Sequence, residues 1–327
     1  MRLDSVSVII INLNGGETLL DCVGSIEDSR VKEIIVVDNG SSDGSADLCV
    51  QKFPNLILIQ NSVNEGFAGP CNQGAENAQG DFLLFLNNDA KLGPDLVKCL
   101  VDKLSGDSVA ATGPRIIDES GKLQSAGSFF TWTGFLNHVD ELTLKTLAER
   151  PKRFALNGAC LLVKKSCFFE VGGFDNQFFA YFEESDLCWR LINKGYDLIY
   201  VDEVFAVHQG GMTSRKELRS SFIDFLSFRN RIVSIRRNLP TLIKFLVIPA
   251  HLMCCVVFAL AFLLSGKPKN SLAVLRAIFS GMITSNQGSL ASGMLKIPSN
   301  LELILPLMSS PSLRKALTQL RRYLIRW

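Results

Sequence analysis

Four short apolar runs, each closed by a polar turn, constrain this chain more than any other feature. They are 6–11 (VSVIII), 33–37 (EIIVV), 56–59 (LILI) and 82–86 (FLLFL). Each is short and rich in β-branched or large apolar residues, as a strand buried on both faces requires. Between them, 17–28 and 45–53 read as helices, and a Gly/Asn-rich stretch at 64–74 leads into another. The alternation predicts an α/β fold with a mostly parallel sheet flanked by helices. Ligands of such sheets sit beyond the carboxyl ends of the strands. Polar residues gather at those ends three times: Asn12 with Asn14, Asp38 with Asp43, and Asn87 with Asp89. Three such ends in 90 residues point to a polar ligand that arrives with a metal.

Further along, a helix is predicted over 184–194, stopped by Gly195, and a last strand over 197–207, followed by His208-Gln209-Gly210-Gly211. Several groups here carry chemistry, and each also has a plain structural reading. Asp89, directly after a strand, suits a hard divalent cation shared with substrate phosphates, or an ordinary turn. Glu183, Glu184 and Asp186 crowd three carboxyls into four residues, which raises their proton affinity and poises a general base. The same acids would complement a helix N-terminus, although Phe178, Phe179, Tyr181, Phe182 and Trp189 flank them. His208 is one of only three histidines and could ligate a metal, carry a proton or simply pack. Asp38 could accept from a base or ribose while the loop amides between it and Asp43 donate, or the stretch is an ordinary turn with Asp43 as a helix N-cap. The 64–69 loop offers backbone amides and matches neither a Walker A loop nor GxGxxG.

Net charge is +2, but residues 1–204 sum to −12 and residues 205–327 to +14. An acidic body thus precedes a basic, apolar tail. The stretch 245–264 holds twenty residues without a formal charge, long enough to span a bilayer, although Pro249 and His251 interrupt it. Basic residues on both flanks, and again at Arg314–Arg326, conflict with a single span. A helical hairpin or interfacial helices fit better, with 271–283 and 301–308 as further segments and an anionic membrane surface as partner. The alternative is a buried helix of a soluble oligomer. Apolar runs between the charges speak against nucleic acid. Nine cysteines with no CxxC fit a reducing compartment, and the short apolar N-terminus does not resemble a signal peptide.

Taken in order, VIIINLNGG, IIVVDNGSSDGS, NEGFAGPCNQG, FLLFLNNDA, GGFD, FEESDLCWRL and HQGG closely resemble the bacterial family 2 glycosyltransferases, particularly rhamnosyltransferase-like members, over about residues 5–240. The resemblance implies a GT-A fold over 1–212, with a nucleotide-sugar half (1–105) and an acceptor half (106–212). Residues 213–327 follow as a helical membrane-associating region. It also implies an inverting mechanism with Mg²⁺ or Mn²⁺, a nucleoside-diphosphate sugar donor (rhamnose being one candidate sugar) and a saccharide or polyprenyl-linked acceptor. The expected place of action is the cytoplasmic face of the membrane. By position, Asp38 matches the aspartate that holds the nucleobase or ribose. Asn12, Asn14, Asp43, Asn64, Gly66, Asn72 and Asn87 lie in the donor-side motifs. Asp89 matches the metal-binding aspartate, and His208 a histidine that completes the metal site in some members. Relatives often carry Asp where this chain has Asn87 or Asn88. Glu184 stands where relatives commonly carry an aspartate base, with Glu183 and Asp186 beside it. A sugar-phosphate nucleotidyltransferase would carry a basic loop after the first strand, and 12–17 has none. A catalytically degenerate membrane scaffold of the same fold is the other alternative.

Overall fold

The computed structural model describes residues 5–146, 151–210 and 218–285. Two compact units divide the chain: Met1–Ser128 with His138–Ser214, and Phe129–Asn137 with Arg215–Trp327. Residues 129–137 thus group with the second unit.

The first unit is built on a nine-stranded sheet. In chain order its strands are β1 (Val6–Asn12), β2 (Val31–Asn39), β3 (Ile57–Asn61), β4 (Phe82–Asn87), β5 (Ala90–Leu92), β6 (Val109–Ile117), β7 (Leu123–Ser125), β10 (Cys160–Lys164) and β11 (Asp197–His208). The short strands β8 (Ser128–Phe130) and β9 (Leu136–His138) form a separate hairpin. The sheet order is β3-β2-β1-β4-β10-β6-β11-β5, with β7 pairing β6. Strands β1 to β4 run parallel, as expected, and so do β6 and β11. The sheet is nonetheless mixed, because β10, β5 and β7 pair antiparallel with their neighbours. It also runs unbroken through both expected halves, 1–105 and 106–212.

Register sets the site. Asn12 pairs with Asp38 across β1 and β2, and Ile11 pairs with Asn87 across β1 and β4. The polar strand ends therefore lie level along one edge. Helices α1 (Gly16–Gly24), α2 (Ser45–Lys52), α3 (Ala68–Asn77) and α4 (Leu96–Lys103) follow those strands. Each buries an apolar stripe, as in Leu19, Cys22 and Val23 of α1. One core cluster joins these to Val8, Ile10, Val36, Leu84 and Leu162 of the sheet. Helices α5 (Glu141–Thr146), α6 (Lys165–Glu170) and α7 (Glu183–Asn193) come later. Helix α7 closes as Gly195 suggested. The Gly195 N–H meets the Ile192 carbonyl at 2.8 Å and the Tyr196 N–H meets Leu191 at 3.2 Å, a Schellman arrangement.

The second unit holds α8 (Ser220–Asn238), α9 (Thr241–Leu264) and α10 (Pro268–Ile283). Its core comprises Phe228, Cys255, Ala259, Phe262, Val274 and Ala277, with Phe135 of the 129–137 hairpin packed against it. Helix α9 continues through Pro249. The 271–283 segment falls within α10, whereas 301–308 and the Arg314–Arg326 charges lie outside the described residues. All nine cysteines are free thiols.

Candidate active site

At the ends of β1 and β2, Asn12 is wholly buried. Its Nδ2 donates to Asp38 Oδ1 (2.9 Å), Ser45 Oγ (2.9 Å) and Ser41 Oγ (3.1 Å), and its Oδ1 accepts from Asn88 Nδ2 (3.2 Å). Asn12 thus spends its side chain on protein partners at the strand ends. Asp38 also accepts from Ser41 Oγ at 2.6 Å. Asn14, at φ +49°, accepts the Ser42 N–H at 2.9 Å and donates its own N–H to Ser41 Oγ. Asp43 does not occupy the cap position, which is Gly44. Its two oxygens instead tie the Ser45 N–H and hydroxyl (3.0 and 2.6 Å) to the Gly16 N–H (2.9 Å). Burial works against the Asp43 charge, but these donors outweigh it and hold its pKa below the ordinary value.

The 64–67 loop is fixed by Asn39, which the sequence reading passed over. Asn39 Nδ2 donates to Asn64 Oδ1 (3.0 Å) and the Gly66 carbonyl (2.7 Å), and Asn39 Oδ1 accepts the Glu65 N–H (3.0 Å). Asn64 accepts the Gly66 N–H at 2.9 Å. Gly66 packs so closely on the Phe179 carbonyl that a Cβ would lie 2.1 Å from its oxygen. The Phe67 N–H donates to that same oxygen at 2.6 Å. Asn72, expected on the donor side, spends its amide elsewhere. It donates to the Phe174 carbonyl and Asn176 Oδ1, both at 2.8 Å, and accepts the Phe174 N–H at 3.0 Å. Asn72 thus braces the Gly-Gly-Phe-Asp turn against α3.

The ends of β4 and β11 meet. His208 Nε2 lies 3.2 Å from Asp89 Oδ1 and 3.2 Å from Asn87 Nδ2. Gln124 sets the tautomer. Its Nε2 donates to the His208 carbonyl at 2.6 Å, so its Oε1 faces Nδ1 at 3.1 Å and takes the Nδ1 proton. The Nε2 edge is thereby turned toward the Asp89 carboxylate oxygen and the Asn87 amide. An oxygen and an imidazole nitrogen converging on one point, with the imidazole braced from behind, is a fitting pair for Mg²⁺ or Mn²⁺. Among the described residues no cluster of three or more His, Cys, Asp or Glu side chains forms a complete cage. Further ligands would have to come from substrate or water.

The acidic helix start is tied to the same unit through Phe179, whose carbonyl accepts the Phe67 N–H, and through the Glu184 stem beside Gly158. Tyr181 and Phe182 both hold positive φ, +68° and +74°. Two consecutive non-glycine residues in that region cost about 1–2 kcal/mol each, a strain often stored where geometry matters. They turn the chain into α7 at Glu183. Asp186 is set apart from the other two acids. It is fully buried and ion-paired with Arg190 Nε at 2.7 Å, so its charge is spent inside the unit. Arg190 also donates to the Val171 carbonyl. Glu184 is half-buried, its stem lies against Gly158, and it accepts from Ser185 Oγ at 3.0 Å. The 157–159 turn that carries Gly158 also accepts the Asn87 N–H through Ala159, linking the base side to the end of β4.

Fold and site define a GT-A nucleotide-sugar-binding domain, with polar side chains massed at the carboxyl ends of its parallel strands. The model of glycosyl transferase family 2 matches residues 7–169. The chain belongs to that family and is a glycosyltransferase. It is similar to the N-acetylglucosaminyl-diphospho-decaprenol L-rhamnosyltransferase of Mycobacterium tuberculosis, at 28% identity over 235 residues, covering 63% of this chain and 76% of that protein. Among solved structures, GalNAc-T7 with UDP, GalNAc and Mn²⁺ superposes with a TM-score of 0.58 at 20% identity. That match covers 72% of this chain but only 48% of GalNAc-T7. A mannosyltransferase from Pyrobaculum calidifontis with GDP-Man and Mn²⁺ gives 0.56 at 16% identity, over 98% and 84% of the two chains.

Proposed function

We propose that this protein transfers a sugar, with rhamnose a candidate, from a nucleoside diphosphate to a lipid-linked saccharide, with inversion, at the cytoplasmic face of a membrane during cell-surface polysaccharide assembly. The observation that carries the reading is the meeting of Asp89 and His208, 119 residues apart, at 3.2 Å beside the polar ends of β1 and β2. Asp38 and the 64–67 loop line the nucleotide side, the loop amides at 65, 66 and 67 being held by Asn39, Asn64 and the Phe179 carbonyl instead of facing the ligand. Asp89 and His208 would hold Mg²⁺ or Mn²⁺, and such an ion, when bound, neutralises charge on the leaving diphosphate. Glu184 takes the proton of the acceptor hydroxyl as that oxygen attacks the anomeric carbon opposite the departing diphosphate. One carboxylate then suffices, and no covalent sugar–protein intermediate is needed. The similarity to a diphospho-decaprenol rhamnosyltransferase supports a lipid-linked acceptor, and the apolar α9 supports membrane residence.

The test is a panel of dTDP-, UDP- and GDP-linked sugars, with Mg²⁺ or Mn²⁺, scored for binding and slow hydrolysis. Asp89→Ala should weaken metal-dependent binding of the accepted donor. Glu184→Gln should bind it normally and lose turnover by about 10²–10⁴-fold. Failure of every donor to bind with either metal would leave the degenerate scaffold as the better reading.

A further inference from the structure

A carboxyl enclosed by protein must be paired, hydrogen-bonded or protonated. Glu183, the first residue of α7, is 8% exposed. Its Oε2 is shut off from solvent and meets no hydrogen-bond donor. No Lys, Arg or His forms an ion pair with it among the described residues, and the cation on its own helix, Arg190, is committed to Asp186. The ionisable groups that act on it are Glu184 on the same turn and Cys71 on α3. Both can become negative and neither can become positive. Glu184, one residue on, is more open and has the Ser185 hydroxyl as donor. Two adjacent carboxyls in such unequal surroundings divide their labour: the enclosed one keeps a proton and the open one keeps the charge.

We propose that Glu183 is a positioning residue that holds the single proton of this pair, leaving the negative charge on Glu184. It rests on the glycosyltransferase reading only in giving Glu184 the role of base. The protonated Glu183 lets α7 begin with a carboxyl in an apolar enclosure and with only one charge near the diphosphate. The arrangement has an alkaline limit, because loss of that proton would place a second, unpaired charge beside Glu184. Burial, and next the Glu184 charge, push the Glu183 pKa well above the ordinary carboxylate range. A raised folded-state value means that the Glu183 contribution to stability is complete below the ordinary range near pH 4.5. It is lost as pH climbs toward the folded value.

The experiment compares wild type with Glu183→Gln in an Asp224→Asn background, which removes a further carboxyl that burial pushes up. Melting curves run from pH 4.5 to 9. The two proteins should melt together at the acid end, with the Gln form higher by about 2–4 °C at the alkaline end. The infrared carbonyl stretch of a protonated carboxyl should be present in wild type at pH 7 and missing from the variant. The alkaline fall in kcat should move to higher pH in the variant. A Tm difference independent of pH, together with no protonated-carboxyl band at pH 7, would overturn the proposal. If the Gln form does not fold, the wild-type infrared titration alone decides the point. Absence of donor turnover in wild type would remove the glycosyltransferase reading but leave the melting and infrared results standing.

Discussion

A single exposed side chain, Gln124, determines which nitrogen of His208 can face a metal. It grips the ring from the side opposite Asp89, donating to the His208 carbonyl and accepting from Nδ1. Such partners fix ring orientation and raise ligand basicity, and losing one typically costs 10–100-fold in metal affinity. Gln124→Ala should therefore weaken Mn²⁺ binding by about that factor. Its Tm should hardly change, because the side chain lies on the surface. Titration of Mn²⁺ in the presence of a nucleoside diphosphate, paired with a melting curve, checks both halves. An unchanged affinity would mean that His208 is not a ligand. The sequence offered no route to Gln124, which lies 84 residues before His208 in an unremarked stretch. Asp38, Asp89 and His208 were legible because each ends an apolar strand, where a charge or imidazole has no packing role. Asn12 and Asn72 were legible as motif members only. Their full commitment to protein partners depends on neighbours that a sequence does not place.

Elements were readable where a local pattern decides them. Strands β1 to β4 fall within a few residues of the apolar runs, and α7 begins one residue before its expected start. The antiparallel insertion of β10 between β4 and β6 was not readable, because strand direction is a tertiary choice. The contact between the 64–67 loop and the segment leading into α7 belongs to the same class, and it makes a sharp prediction. Gly44 and Gly66 both hold positive φ, +74° and +86°. An added Cβ meets nothing within 4 Å at Gly44 but would lie 2.1 Å from the Phe179 carbonyl oxygen at Gly66. Gly44→Ala should cost only the backbone strain, about 1–2 kcal/mol. Gly66→Ala should cost roughly 3 kcal/mol or more, because the segment before α7 has to move away from the donor loop. Urea unfolding separates the two. Donor turnover should also fall much further for Gly66→Ala than its lost stability accounts for, since the moved segment carries Glu183 and Glu184. Equal unfolding costs would mean that the Phe179 contact is not a constraint.

The division of charge along the chain finds a physical reason in the second unit. Helix α9 buries a stripe at Val247, His251, Cys255, Ala259 and Phe262, spaced by three or four residues. Its other side exposes Leu242, Phe245, Leu246, Met253, Val256, Val257, Leu260, Leu263 and Leu264, while α10 exposes Leu272, Leu275, Phe279, Met282 and Ile283. A helix apolar on both sides, with one side bare, calls for lipid or protein cover. Lys267, Lys269 and Arg276 lie next to this surface in the chain, and residues 218–285 contain a single acid, Asp224. We propose that this charge balance favours an anionic bilayer over a neutral one, since each basic residue near such a surface contributes about 1 kcal/mol. Reversing two of them, Lys267→Glu with Lys269→Glu, should therefore weaken binding to vesicles containing phosphatidylglycerol by roughly tenfold or more. Binding to pure phosphatidylcholine should be little affected, and added salt should narrow the gap between the two vesicle types. Trp132 offers an internal reporter. It is 54% exposed in the 129–137 hairpin, whose Thr133 carbonyl meets His251 Nδ1 of α9 at 2.8 Å. Indole favours the headgroup zone. In a Trp327→Phe background, with Trp189 buried in the core, brominated lipid should quench Trp132 fluorescence on binding. Salt-insensitive partitioning that ignores lipid charge would leave apolar insertion as the sole driving force. Self-association without vesicle binding would show that the bare face of α9 is covered by a second copy of this chain.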